Sequence, residues 1–175
     1  MNATAALLTR DGLPISEYVA QLAQQLSQKG WLMATAESCT GGLIAGACTE
    51  RPGSSQWLDC GFVTYSNRAK SAMLDVPAAL IASHGAVSEP VARAMAQGAI
   101  AQSQAQVSVA VTGVAGPDGG SASKPVGTVW FAWQVAGSLH SEVMRFDGDR
   151  HAVRQATVQH ALRRLLALVQ AAQAE

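Results

Sequence analysis

The segment Thr35-Ala36-Glu37-Ser38-Cys39-Thr40-Gly41-Gly42 sets a serine and a cysteine side by side, just ahead of two glycines. Both side chains are nucleophile types that attack an acyl carbon once a base or a positive field activates them. Trp31 to Ala34 reads as the end of a buried strand, and Leu43, Ile44, Ala47 and Cys48 recur at helical spacing, which puts the segment at a strand-to-helix junction. Backbone N–H groups at such a junction have no intrahelical partner, and the helix dipole favours negative charge there. A phosphate, a carboxylate or an oxyanion suits that environment, with Thr40, Gly41 and Gly42 supplying the amides and the glycines allowing close approach. Hydroxyls and glycines also serve as ordinary helix caps, so a capped turn is the competing reading.

A serine hydroxyl needs a base. His84, His140, His151 and His160 fall in contexts that read as a helix end, an exposed hairpin and a C-terminal helix, where surface or helix-terminal roles are expected. Lys70 follows Tyr65-Ser66 by about one helical turn, and a lysine acts as a general base when burial lowers its pKa. Serine–lysine pairs are a known variant of the serine–histidine arrangement; a solvated helix lysine is the alternative. Tyr65 can orient that lysine or donate to a substrate, or simply end a strand with its hydroxyl at the surface. Ser66 and Lys70 are i, i+4 neighbours and form a rival pair, although Ser66 is well placed as a helix cap. Cys39 is the other rival, because helix N-termini activate thiolates.

A second loop, Thr112-Gly113-Val114-Ala115-Gly116-Pro117-Asp118-Gly119-Gly120, leaves a strand with enough backbone freedom to present N–H groups to a phosphate. No Gly-Lys-Ser/Thr follows it, so it is not a P-loop, and it does not match the dinucleotide fingerprint. Arg150 stands in the first turn of the last helix, where the dipole disfavours a cation. It is there for an anion, or it pairs with Asp147 or Asp149.

The elements that must position these residues follow from periodicity. Val19, Leu22, Ala23 and Leu26 mark a helix ending near Gly30, and Trp31 to Ala36 reads as the first strand. Cys60 to Tyr65 reads as a second strand, Ser66 or Asn67 caps a short helix, and Pro77 to Ala82 forms another that ends at Gly85. Ser88-Glu89-Pro90 starts a helix to about Gln102, with Val91, Ala94, Met95 and Ala99 inward. Val107 to Val111 is a central strand, and Val126 to Val135 with Leu139 to Phe146 make a hairpin turning at Gly137-Ser138. Asp147 or Asp149 caps a long helix whose inner face holds Val153, Thr157, Ala161, Leu165 and Leu168. This order predicts a single domain over 1–175, core about 16–168, built as a three-layer α/β/α sandwich around a mixed sheet. Zero formal net charge with 14% charged residues argues against a nucleic-acid surface. Three cysteines without a C-x-x-C, and no secretory signal over Met1 to Arg10, point to a reducing cytoplasm and no metal or cofactor.

Taken together, Ala36-Glu-Ser-Cys-Thr-Gly-Gly42, Gly61-Phe-Val-Thr-Tyr-Ser-Asn67 with Lys70, His84-Gly-Ala-Val-Ser-Glu89, the Thr112 to Gly120 loop, Lys124-Pro-Val-Gly-Thr128 and Gly148-Asp-Arg150 resemble the CinA C-terminal domain family. Its stand-alone members are nicotinamide-nucleotide amidases. The resemblance implies hydrolysis of nicotinamide mononucleotide to nicotinic acid mononucleotide and ammonia, in pyridine nucleotide recycling toward NAD. It implies Ser38 and Lys70 as the catalytic pair, with Tyr65, Thr112 and Arg150 around the substrate; Gly113 and Gly116 of the loop, and Arg145 nearby, are further candidates. Together with an Ala-rich surface it favours a homodimer. The large N-terminal domain of full-length CinA proteins is not in this chain, which suggests a stand-alone enzyme. The alternative is a non-catalytic nucleotide-binding module in a competence or recombination complex.

Overall fold

The computed structural model describes residues 12–172, so the reading of Met1 to Arg10 lies outside the described residues. The chain runs α1 (Ile15–Lys29), β1 (Met33–Glu37), α2 (Leu43–Thr49), β2 (Leu58–Val63), α3 (Asn67–Leu74), α4 (Ala78–His84), α5 (Glu89–Ala101), β3 (Val107–Gly113), β4 (Thr128–Val135), β5 (Ser138–Arg145) and α6 (Arg150–Ala171). The sheet order is β2-β1-β3-β4-β5. β1 pairs parallel with both β2 and β3, whereas β4 and β5 are antiparallel additions. This is the three-layer sandwich around a mixed sheet that the alternation of elements predicts. After β1 the chain passes through α2 to β2 on one side, and after β2 it crosses back over β1 to β3. Strand order therefore reverses at the β1/β3 boundary, and a crevice opens beyond the carboxyl ends of those two strands.

The two faces of the sheet carry different side chains. Met33, Val107, Val109, Val111, Phe131 and Trp133 pack against α1 and α6 through Leu22, Leu26, Leu162 and Leu165. On the other face Ala34, Ala36, Ala110 and Ala132 meet Ala92, Met95, Ala96 and Ala99 of α5. Small residues are needed there because α5 lies close: the Ser108 hydroxyl, buried in β3, donates to the Ala96 carbonyl at 2.8 Å. Gly98 lets α5 press against the Leu74 backbone at the end of α3, where any Cβ would collide.

Several boundaries differ from the sequence reading. β2 stops at Val63, two residues before Tyr65: the Thr64 N–H makes the last ladder bond, to the Glu37 carbonyl (2.8 Å), while the Thr64 carbonyl leaves the ladder to accept from Lys70. The hairpin turns at Ala136-Gly137, one residue earlier than expected, with φ of 46° and 81° and Val135 opposite Ser138; two left-handed residues match the twist of the strands. Of the two aspartates before α6, Asp149 is the cap, accepting from the Ala152 N–H at 2.8 Å. His160 is buried, 6% exposed, among Phe131, Trp133 and Phe146, with Glu142 at 3.2 Å, and burial lowers its pKa. Its surface reading is corrected, and its position three residues beyond Thr157 on the inner face was the available signal.

Gly98→Ala should destabilise the fold by about 1–3 kcal/mol, the usual cost of overpacking a tight helix contact. Urea unfolding measures it, and an unchanged midpoint would mean that α5 can slide away from α3.

Candidate active site

Three parallel strands deliver the candidate residues to one place. Ser38 follows β1, Thr64 and Tyr65 follow β2, and Thr112 and Gly113 end β3. Ser38, Tyr65, Lys70, Thr112, Gly116 and Arg150 line a cleft of about 290 Å³, which Gly113 also borders. Lys70 projects from the first turn of α3, whose start is fixed by the Ser66 hydroxyl accepting from the Ala69 N–H at 3.0 Å. Ser66 is thus the cap, and its rival pairing with Lys70 is not formed. Lys70 Nζ lies 3.1 Å from Ser38 Oγ and donates to the carbonyls of Thr64 (2.9 Å) and Tyr65 (3.5 Å). The lysine is 1% exposed, and burial lowers its pKa from 10.5.

The Ser38 turn itself is organised by Glu37. This carboxylate, 1% exposed, accepts from the hydroxyls of Thr35 (3.2 Å) and Thr40 (2.6 Å) and from the N–H groups of Gly42 (3.1 Å), Ile44 (3.0 Å) and Ala45 (2.8 Å). The open start of α2 is therefore occupied by the protein's own anion. Gly41 N–H is also spent, donating to the Ser38 carbonyl at 3.1 Å. The expectation that the Gly41 and Gly42 amides hold substrate is corrected, because both are spent within the turn, and neither these glycines nor Thr40 are among the cleft residues. The Cys39 and Thr40 amides make no hydrogen bond to another residue among the described ones.

The environment of the neighbouring cysteine disfavours its thiolate, with burial as the main cause and the same carboxylate as a lesser one. The Cys39 side chain joins the core, and burial first, then the Glu37 charge, push its thiol up to about 11. Activation at a helix N-terminus fails here because Glu37 already fills that terminus. Arg150 bridges the cleft mouth, Nη1 donating to the Gly116 carbonyl at 2.9 Å and Nη2 to the Tyr65 hydroxyl at 3.1 Å. Neither Asp147 nor Asp149 pairs with it. Thr112 donates its hydroxyl to the Ala86 carbonyl at 2.8 Å and so fixes the opposite wall. Arg145, exposed at the end of the edge strand β5 opposite Thr128, is not among the cleft residues. Glu37 and Arg154 were given no role by sequence reasoning; an acid just before a helix start, and an arginine one turn after Arg150, were the signals for them.

Fold and cleft together define a three-layer α/β domain that sets a serine against a buried lysine at a topological switch point. The chain belongs to the CinA C-terminal domain family, whose model matches residues 15–169. A nicotinamide-nucleotide amidohydrolase PncC of Pseudomonas putida is 53% identical over 155 residues, covering 89% of this chain and 97% of that protein. PncC of Escherichia coli K12 is 50% identical, covering 83% and 88%. A putative competence-damage inducible protein of Symbiobacterium thermophilum is 53% identical, but the match spans only 34% of its length. Among solved structures, the competence/damage inducible protein CihA of Agrobacterium tumefaciens superposes with a TM-score of 0.87 at 47% identity, covering 92% of this chain and 99% of that one. A CinA superfamily protein of Escherichia coli gives 0.88 at 39% identity, covering 96% and 99%.

Cysteine reactivity checks the electrostatics. Iodoacetamide at pH 8 should alkylate Cys60, which is only half-buried, well before Cys39 or Cys48, whose thiols are pushed up to about 11 and about 12. Peptide mass spectrometry reads the order, and early labelling of Cys39 would contradict the buried, protonated thiol.

Proposed function

We propose that this chain is a serine–lysine amidase that hydrolyses the carboxamide of nicotinamide mononucleotide, giving nicotinic acid mononucleotide and ammonia and returning the nucleotide toward NAD. The observation that carries the reading is the 3.1 Å approach of Lys70 Nζ to Ser38 Oγ inside the cleft. A neutral amine has two N–H groups and one lone pair. The Thr64 and Tyr65 carbonyls accept the two N–H groups, and the lone pair is left facing the Ser38 hydroxyl. The PncC names of full-length relatives support the choice of substrate.

In the reaction, Ser38 Oγ forms a bond to the carboxamide carbon as its proton passes to Lys70. The Cys39 N–H, next to the nucleophile and bonded to no other residue among the described ones, would donate to the developing oxyanion. Collapse breaks the C–N bond, and ammonia leaves with the proton from Lys70. Water then attacks the acyl-enzyme, giving a proton to Lys70, which returns it to Ser38 Oγ as the ester C–O bond breaks; the acid product loses its remaining proton to the released ammonia or to solvent and departs as carboxylate. Arg150, with Gly116 beside it, presents a cation at the cleft mouth that suits the phosphate, and Tyr65 is the partner it releases or shares on binding.

Ammonia release from nicotinamide mononucleotide tests the scheme. Lys70→Ala should lower kcat by about 10²–10⁴-fold, the range for a lost general base, and Ser38→Ala by at least as much, while Cys39→Ser and Ser66→Ala keep most activity. Retained activity in Ser38→Ala with loss in Cys39→Ser would replace the serine by the cysteine. Because the base form of Lys70 is the deprotonated one, kcat/KM should rise with pH through a midpoint below 10.5, and Lys70→Arg, permanently charged, should be inactive at every pH.

Arg150→Met separates anchoring from chemistry. Loss of a charged hydrogen-bonding partner is worth about 1.5–3 kcal/mol, so KM should rise about tenfold to a hundredfold with kcat nearly unchanged. A fall in kcat alone would remove Arg150 from the phosphate site.

A further inference from the structure

Arg154 takes no part in the scheme above. It is half-buried, and among the described residues it makes no ion pair. Its guanidinium instead donates to two successive backbone carbonyls, Nε to Cys39 at 3.2 Å and Nη2 to Thr40 at 2.8 Å. These are the carbonyls that follow Ser38 directly. On the other side of the same turn, the amides of Gly42, Ile44 and Ala45 go to the Glu37 carboxylate. The nucleophile's turn therefore lies between an anion bound at its N–H groups and a cation bound at its carbonyls. The Gly41 N–H closes this turn onto the Ser38 carbonyl at 3.1 Å, and Arg154 ties the Cys39 and Thr40 carbonyls of the same turn to α6, which restrains the rotation of these peptide units that would swing Ser38 away from Lys70.

Chain geometry extends the argument. Arg150 and Arg154 are i, i+4 neighbours on α6, so one rigid helix holds both the arginine at the cleft mouth and the one on the nucleophile's turn. The planar fork matters, because it spans adjacent carbonyls, whereas a lysine is a single point charge. We propose that Arg154 is a positioning residue for Ser38: by holding the Cys39 and Thr40 carbonyls it keeps Oγ in its reactive place, and it acts on the chemical step rather than on substrate binding. This rests on Ser38 being the nucleophile.

The test uses the full chain with Arg154→Lys and Arg154→Met. It reads kcat and KM for nicotinamide mononucleotide, the unfolding midpoint, and the rate at which phenylmethylsulfonyl fluoride modifies Ser38. In that modification Oγ bonds to sulfur, the S–F bond breaks, fluoride leaves and the hydroxyl proton passes to Lys70; the reagent carries neither ribose nor phosphate. A displacement of the nucleophile by about 1 Å costs up to about a hundredfold. Both variants should lose about 10- to 100-fold in kcat and in sulfonylation rate, the lysine variant less than the methionine variant. KM should stay within about threefold, as for an interaction that matters only in the transition state.

A raised KM with unchanged kcat would overturn the proposal, as would normal sulfonylation of the folded fraction. If Arg154→Met does not fold, Arg154→Lys decides alone, and wild-type kinetics in that variant also overturn it. Sulfonylation that depends on Arg154 in a protein that releases no ammonia from nicotinamide mononucleotide would retire the substrate and keep the positioning role. Ammonia release indifferent to Arg154 would retire the positioning role alone.

Discussion

The buried Glu37 carboxylate is the interaction on which the site is built. A charge taken out of water is costly unless every lone pair is satisfied, and here two hydroxyls and three amides do so. In return the anion holds the start of α2, a helix of seven residues that would not persist on propensity alone. It also holds Gly42 at a φ of 100°, a conformation open to glycine and strained for other residues. The end of β1, the Ser38 turn and the first turn of α2 thereby become one rigid unit. Ser38 inherits its position from a carboxylate that never faces the cleft.

That arrangement also bears on the neighbouring lysine. A free carboxylate beside Lys70 would keep it protonated and useless as a base. Glu37 is adjacent in sequence to Ser38, yet its charge is bound to the α2 amides on the far side of the turn. Desolvation is consequently the dominant influence on Lys70, and it pushes toward the neutral amine. The fold supplies the desolvation: the switch point between β1 and β3 places Lys70 under the ends of the parallel strands, where α3 seals it at 1% exposure.

Much of the architecture is legible in the chain. The 3.6-residue spacing of Val19, Leu22, Ala23 and Leu26 and the β-branched run Val107 to Val111 each identify a layer, and Gly30 and Gly85 stop their helices as expected. The meeting of Ser38 with Lys70 is legible too, because residue type and turn spacing single out both side chains. What sequence reasoning misassigned was the destination of backbone amides. A junction rich in hydroxyls and glycines advertises free N–H groups, but whether they meet a substrate or an internal carboxylate depends on a side-chain direction, and that is set by the pleat of β1. His160 fails for a related reason: its burial depends on the aromatic side chains of β4 and on Phe146, which meet it only across the layers.

The N-terminus of α6 completes the logic. Arg150 is its first residue and Arg154 lies one turn later, although a cation near a helix N-terminus is disfavoured by about 0.3–1 kcal/mol. Sequence alone reads this as a misplaced charge. In the structure each guanidinium is directed away from its own helix, one to the Gly116 carbonyl and the Tyr65 hydroxyl, the other to the Cys39 and Thr40 carbonyls. Asp149, capping the same helix, offsets the local dipole through the Ala152 amide. Through these two arginines the first turns of α6 touch the β1 turn, the β2 exit and the β3 loop together. Loops leaving three different strands would otherwise move independently, and a cleft whose walls move independently cannot hold Ser38 Oγ 3.1 Å from Lys70 Nζ.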